Sequence, residues 1–289
     1  MAISIVVPVW NACSHLPDLV DALATQTLPV SQREVLFVDN GSEDGSAEWL
    51  AAHLPPSGRL LFSPRSRNAY AARNVGIEQA RGRVLAFTDA DCRPAPDWLA
   101  QGLEAARHHG RVAGRIVVQR SREGGLVEEL DASRFLRQRR YSREAFAATA
   151  NLFVRRSVFD QIGLFDERLV SGGDQEIGAR AEAAGLPIAY SHGAVVRHWA
   201  CRRLSVLVAK AQRVGVGFGQ SLRLHSFERV AARGRIADRL TLIPRTWEIA
   251  HLQPRERLAV AAGHLILAAA TAVGCIEGVG WASRQPTAR

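Results

Sequence analysis

The stretch Thr88-Asp89-Ala90-Asp91 sets two carboxylates one residue apart at the end of the apolar run Val84-Leu85-Ala86-Phe87. Side chains at i and i+2 of an extended chain point to one side, so Asp89 and Asp91 are expected to face a single cavity. Two like charges on one face repel unless a cation or hydrogen-bond donors lie between them. A hard divalent cation, Mg²⁺ or Mn²⁺, that itself carries a substrate's phosphates suits that need. Two solvated acids in a strand-to-helix loop would give the same letters, so Asp-x-Asp alone decides nothing. Beyond it, Pro94 and Pro96 are expected to stop the strand, and Asp97 to cap a helix starting near Trp98.

The elements that must hold these acids follow from periodicity. Ile3-Ser4-Ile5-Val6-Val7-Pro8-Val9 reads as a buried strand ending at Trp10-Asn11. Apolar residues at 16, 19, 20 and 23 mark a helix within 15–27. Glu34 to Asp39 is a second strand ending in an acid, Asn40 to Ser46 a turn, and Ser46 to Leu54 a helix. A weaker strand runs from Arg59 to Phe62, then a small-residue helix from Ala69 to Ala80, then Val84 to Thr88. This alternation predicts a parallel sheet covered on both faces, with ligands at the C-terminal strand ends. Asn11, Asp39, Asp89 and Asp91 all fall there. Further on, strands are expected over Arg111–Gln119, Thr149–Val154 and Ile188–His198, the last followed by Trp199. Helices are expected from Val158 through Phe165 and from Gly172 to about Ala184. Residues 123–144 read as a mobile loop or short helices.

Within these blocks the chain resembles the family 2 inverting glycosyltransferases of the GT-A fold, over roughly residues 3–199. Four segments in one order carry the resemblance: SIVVPVWN at 4–11, VLFVDNGSEDGS at 35–46, ARNVGIEQARGRVLAFTDADCRP at 72–94 and GGDQEIGARAEAAG at 172–185. It implies an α/β nucleotide-diphospho-sugar transferase fold, a mostly parallel Rossmann-like sheet with flanking helices. It also implies roles. Pro8, Asn11 and Asp39 would line the nucleoside pocket, with Asp39 accepting from the base. Arg73 would lie near base or diphosphate, and Asn74 would brace a loop. Asp89 would hold the ribose or assist the metal, Asp91 would bind the metal, and His198 would complete its shell. Asp174 would be the catalytic base. The family usually has Glu-Asp where this chain has Gly173-Asp174, which spares the base and removes a neighbouring acid.

The chemistry is consistent with those roles. A carboxylate-held metal neutralises a diphosphate leaving group. A carboxylate at a helix N-terminus, as Asp174 would be, can take the acceptor hydroxyl's proton, although the same residue could serve only as a helix cap. One base and in-line displacement imply inversion in a single step. The donor is read as UDP-linked and the acceptor as a glycan, lipid-linked or small-molecule hydroxyl. Glu176 reads as an acceptor-side or structural acid rather than the base. His198 could equally be a core or loop histidine, and Arg73 a helix-surface charge.

The totals bound the rest. The chain has 289 residues, 47% hydrophobic and 22% charged, with a net charge of +9. Between Arg197 and Arg257 there are 13 Lys/Arg against 4 Asp/Glu, an excess that equals the whole imbalance. The basic character therefore belongs to the C-terminal third, where an anionic surface, membrane or nucleic acid, is the natural partner. Cys13, Cys92, Cys201 and Cys275 lack metal-ligand or CxxC spacing, which fits a reduced cytoplasmic setting. A strand already at Ile3 leaves no room for a signal peptide. The domain reading is 1–200 for the transferase and 201–289 for a basic helical appendage.

In that appendage Leu204–Leu224 has helical spacing, and Gly215, Gly217 and Gly219 are expected to permit close helix packing rather than to cradle phosphate. Leu258 to Ile276 is 19 residues with only His264 and Thr271 polar. A buried hairpin helix, an interfacial helix and a true span all fit. Membrane association is favoured, at the inner face of the cell membrane, with a single span kept open. Two other readings stand beside the transferase. A sugar-phosphate nucleotidyltransferase would carry a glycine-rich basic loop after the first strand, which VPVWNACSHL lacks. A non-catalytic membrane or nucleic-acid binder would have no use for four acids at strand ends, so no nucleic acid is expected as partner.

Overall fold

The structure, a computed structural model, describes residues 1–63, 68–224 and 252–282, arranged in two compact units. Of the described residues, the first unit comprises those within 1–118, 137–167 and 174–199, and the second those within 119–136, 168–173 and from 200 onward.

The first unit opens with the expected alternation: β1 (Ile3–Val9), α1 (Leu16–Ala24), β2 (Arg33–Asp39), α2 (Ser46–His53), β3 (Gly58–Phe62), α3 (Ala69–Gln79) and β4 (Val84–Phe87). It continues with β5 (Cys92–Pro94), α4 (Trp98–Ala106) and β6 (Arg111–Gln119). After the second unit's α5 (Leu126–Arg134) come α6 (Gln138–Arg143), β7 (Leu152–Arg155), α7 (Arg156–Ile162), α8 (Gly173–Ala183) and β8 (Ile188–Trp199). The sheet order is β3-β2-β1-β4-β7-β6-β8-β5. β3, β2, β1 and β4 run parallel, so their C-terminal ends open on one edge. β7 is antiparallel to both β4 and β6, and β5 to β8.

β1, β2 and β4 are buried on both faces, as their continuous apolar runs require. Pro8 is tolerated in central β1 because the β4 ladder ends at the Val6–Phe87 pair, one turn of the pleat earlier. α3 lies close on β1 because Gly76 faces Val6, where a Cβ would overlap the valine side chain. Asn151, fully buried, ties three elements: its Oδ1 accepts from Trp98 Nε1 (2.8 Å), and its Nδ2 donates to the carbonyls of Arg115 (2.8 Å) and Ala194 (2.9 Å). Gly114 leaves the room that side chain occupies.

Three local expectations change. The chain does not stop at Pro94 but forms β5, a three-residue strand with its proline at the end, where no ladder donor is needed. Residues 149–151 form a 3₁₀ turn, and the strand expected from Thr149 starts at Leu152. The helix does begin at Trp98, but Asp97 makes no capping bond; its Oδ1 accepts from Thr27 Oγ1 at 3.1 Å instead.

In the second unit, α5 packs with two long helices, α9 (Leu204–Leu224) and α10 (Pro254–Ala282). α9 and α10 meet backbone to backbone. A Cβ at Gly215 or Gly219 would overlap the carbonyl of Thr271 or Cys275, and one at Gly274 or Gly278 the carbonyl of Gln212 or Val216. This is the small-residue packing expected of that stretch, with matching glycines four apart on each helix. Asp131, Lys210, His264 and Thr271 are drawn inward: Lys210 Nζ lies 3.2 Å from Asp131 Oδ1, His264 Nε2 3.0 Å from Ser133 Oγ, and Arg134 Nη2 donates to Thr271 Oγ1 at 3.0 Å. The two segments 119–136 and 168–173 thus belong with the C-terminal helices although they precede residue 200 in the chain.

Candidate active site

The site is built on the edge where β1, β2 and β4 end. After β1, Asn11 adopts φ 48°, a left-handed conformation that asparagine tolerates better than most residues. Its Oδ1 accepts from the Glu43 N–H (2.8 Å), and its own N–H donates to Ser42 Oγ (3.0 Å). The N–H groups of Ala12 and Cys13 donate to Ser46 Oγ (2.9 Å) and Asp44 Oδ2 (3.0 Å). Asn11 therefore fastens the loop after β1 to the loop after β2. Pro8 sits one residue from the end of β1, half-buried opposite Val38.

Asp39 ends β2. Its Oδ2 accepts from the N–H groups of Gly41 (3.0 Å) and Ser42 (3.2 Å), the side-chain-to-backbone turn that Asn-Gly-Ser favours. Its Oδ1 is buried and has no hydrogen-bond partner among the described residues. A buried carboxylate oxygen without a donor is costly unless a ligand supplies one. The carboxyl is fixed by one oxygen and presents the other.

The two acids after β4 do not share a face, contrary to the extended-chain expectation. Residues 89–92 form a tight turn closed by the Cys92 N–H on the Asp89 carbonyl (3.1 Å). The reversal sends the carboxylates to different partners. Asp89 Oδ1 accepts from Arg73 Nη2 at 2.6 Å, and Asp91 Oδ2 lies 3.1 Å from His198 Nε2. Cys92 pairs with His198 in the β5–β8 ladder, which is what brings residue 91 to residue 198. The Arg73 guanidinium offsets the charge of Asp89.

Arg73 is buried on α3, not a surface charge. Burial opposes its charge, but the Asp89 and then the Asp174 carboxylates outweigh that and raise its pKa. Asp174 stands in the first turn of α8 and accepts from Thr149, whose N–H donates to Oδ2 (3.3 Å) and whose Oγ1 donates to Oδ1 (3.2 Å). Burial raises the Asp174 pKa; Arg73 and the Thr149 N–H pull it down, Asp89 pushes it up, and the Thr149 hydroxyl lowers it. Asp174 also lines a cavity of about 20 Å³ with the apolar Leu152, Val158, Phe165 and Ile177 and the buried Arg111. Glu176 is a structural acid: Arg180 Nε and Nη2 grip both its oxygens (2.7 and 2.8 Å). Asn74 braces the 165–167 loop through Phe165 and Glu167.

Asp89 is thus bonded to Arg73, whose charge also acts on Asp174, and Asp91 with His198 forms a second pair. Among the described residues no group of three or more His, Cys, Asp or Glu side chains could hold a metal ion. A carboxylate and an imidazole 3.1 Å apart nevertheless fit a hard cation that keeps several ligand positions for phosphate and water. Thr149 escapes a reading by sequence pattern. It sits in what looks like the start of a strand, and nothing in its spacing points to a carboxylate 25 positions away.

Residues 4–163 match the family described as Glycosyl transferase family 2, which is more than half of the chain. The chain belongs to that family. As a family 2 glycosyltransferase it is 34% identical over 236 residues to Glycosyltransferase AglE of Haloferax volcanii, covering 80% of this chain and 76% of the relative. It is 30% identical over 207 residues to the pre-mycofactocin glycosyltransferase of Mycobacterium tuberculosis, covering 68% of this chain but 42% of that protein. Among solved structures, the mannosyltransferase PcManGT of Pyrobaculum calidifontis, in complex with GDP-Man and Mn²⁺, superposes with a TM-score of 0.64 at 17% identity, over 96% of this chain and 86% of that one. S. aureus TarS 1-349 in complex with UDP-GlcNAc gives 0.56 at 17% identity, over 96% and 92%. The glycosyltransferase therefore has the GT-A fold with C-terminal helices. Pro8, Asn11, Asp39, Arg73, Asp89 and Asp91 lie inside the matched segment; Asp174 and His198 lie beyond it.

Proposed function

We propose that this glycosyltransferase transfers a sugar, with inversion, from a nucleoside-diphosphate donor to the hydroxyl of a lipid-linked, glycan or small-molecule acceptor. The observation that carries the reading is the buried Arg73, which pairs with Asp89 on the donor side and acts electrostatically on Asp174. It couples the acid expected at the donor to the acid expected at the acceptor.

The open Oδ1 of Asp39 calls for a base that presents a ring N–H. Uracil, thymine and guanine have one and adenine and cytosine do not; we read the donor as UDP-linked. Asp89, steadied by Arg73, holds the ribose. Asp91 and His198 would hold a divalent cation, which would neutralise charge on the diphosphate as it leaves. Asp174 takes the proton from the acceptor hydroxyl while that oxygen bonds to the anomeric carbon. The bond from that carbon to the diphosphate oxygen breaks, and its electron pair stays with the nucleoside diphosphate. Thr149 donates to both Asp174 oxygens and keeps the carboxylate oriented, while burial makes it a stronger base than an ordinary aspartate. Retention by double displacement would need a second carboxylate as nucleophile beside the sugar. The acids near Asp174 are engaged elsewhere, Glu176 by Arg180 and Asp89 by Arg73.

Two comparisons support the substrate classes. The structural neighbours were solved with GDP-Man and UDP-GlcNAc. A Pseudomonas aeruginosa relative, 32% identical over 41% of this chain, is named undecaprenyl-phosphate 4-deoxy-4-formamido-L-arabinose transferase. The basic C-terminal third suits a place at the inner face of the cell membrane, where a lipid-linked acceptor would be found. The test is a transfer assay over nucleotide-sugar donors and acceptors, with the product's anomeric configuration read by NMR. Transfer with inversion, lost in Asp174→Asn while donor binding persists, supports the reading. Retained configuration, or full activity in the variant, overturns it.

A further inference from the structure

We infer that α10 is an in-plane membrane helix: its outer face rests on an anionic lipid surface, and it does not cross the bilayer. The helix is long and apolar enough to span, so the decision rests on what each of its faces touches.

The outward face carries Leu258, Leu265, Ile266, Val273 and Ile276, exposed by 73, 64, 48, 51 and 75%. From residue 258 to 276 this stripe is about 27 Å long at 1.5 Å per residue. Ala259, Ala262 and Ala269 fill it, and no charged residue interrupts it. Arg255 and Arg257 are exposed just before it, and Glu277 just after it. Among the described residues nothing covers the stripe.

The inward face mixes apolar residues, Val260 and Leu267 in a core with Leu130 and Leu207, with small and polar ones that reach α5 beside its charged groups. Gly263 packs under Leu130 of α5, His264 meets Ser133, and Thr271 accepts from Arg134. α5 also carries Glu128, Glu129 and Asp131, the last holding Lys210 of α9. These contacts fall at 263–271, the middle of the apolar stretch. A spanning α10 would place its midpoint at the bilayer centre and draw α5 with it. Several ionised groups would then enter hydrocarbon, where each is strongly disfavoured. A helix lying in the interface keeps α5 and α9 on the water side and puts only the apolar stripe into lipid. The 13-to-4 basic excess over 197–257 makes an anionic leaflet the matching surface. This inference stands apart from the catalytic reading, since it uses no residue of the active site.

The test uses the full chain with phosphatidylcholine vesicles, with and without phosphatidylglycerol, followed by an alkaline carbonate wash of the pellets. Wild type should bind the anionic vesicles, bind the neutral ones more weakly, and be released by carbonate. Leu265→Glu with Ile276→Glu changes only exposed positions. It should weaken vesicle binding roughly tenfold or more with circular dichroism and nucleotide binding unchanged. Retention in the carbonate pellet would establish a span and overturn the inference. So would wild type that ignores both vesicles, a double variant that binds as wild type does, or a soluble dimer that the same substitutions dissolve. The last result would make the stripe a contact between copies.

Discussion

The two units differ in what they leave at their surfaces more than in what they bury. The first buries β1, β2 and β4 as apolar strands and sets its carboxylates at their open ends, where Gly41, Ser42, Arg73 and Thr149 meet them. The second buries Leu130, Leu207, Val260 and Leu267 together with Asp131, Gln220, His264 and Thr271, while Leu258, Leu265 and Ile276 stand exposed. In water the second arrangement loses hydrophobic stabilisation that the first retains. We read the half-buried and buried polar groups at the strand ends as the reaction site, and the exposed apolar stripe of α10 as a contact surface.

Substitutions can break that contrast, and the largest effect is expected at the base. Asp174→Asn keeps shape and loses the proton acceptor, so kcat should fall by about 10²–10⁴ with donor affinity little changed. Steady-state kinetics beside a donor titration would show it. The second unit should answer to packing instead. Gly274→Val forces a side chain into the Gln212 carbonyl and should cost about 1–3 kcal/mol. Hydrogen exchange would then rise in α9 and α10 while β1, β2 and β4 stay protected.

Thr149→Val tests the tuning of the base more gently. The acid limb of the pH–rate profile should lie above the ordinary aspartate range, because burial raises the Asp174 pKa and the carboxylate must be ionised to act. Removing a hydroxyl that stabilises the ionised form raises that pKa further. The limb should move to higher pH and kcat should drop roughly tenfold, with Thr149→Ser restoring both. Asp97→Ala should do least. Its carboxylate caps no helix, so thermal unfolding should shift by less than about 0.5 kcal/mol.

Much of this architecture is legible in sequence because it rests on local rules. Apolar runs ending in Asn11, Asp39 and Asp89 mark strand ends, and Gly215 with Gly219 marks a close helix contact. What escapes are features fixed by distant partners. The 89–92 turn separates Asp89 from Asp91 only because Arg73 and His198 wait on different elements. Asn151 and Thr149 look like the opening of a strand, yet one joins α4 to two strands and the other holds Asp174. Asn11 reads as a pocket residue by its position, and the bond from the Glu43 N–H to its side-chain oxygen, which fastens one loop to the next, could not be read there. Asp97 has the right letter for a cap and the wrong neighbour in Thr27. The charged partners of α10 could not be read from α10 itself, since α5 lies more than a hundred residues earlier in the chain.

The most direct test of the central claim is calorimetric titration of UDP, GDP and dTDP, each with and without Mn²⁺, against wild type, Asp39→Ala and Asp91→Ala. The expected result is metal-dependent binding of one nucleotide by wild type, UDP in our reading. Asp91→Ala should lose the metal dependence, and Asp39→Ala should lose the preference for that base. Folded protein that binds none of the three, or that binds one equally with and without metal and in both variants, would contradict the donor site at the ends of β1, β2 and β4.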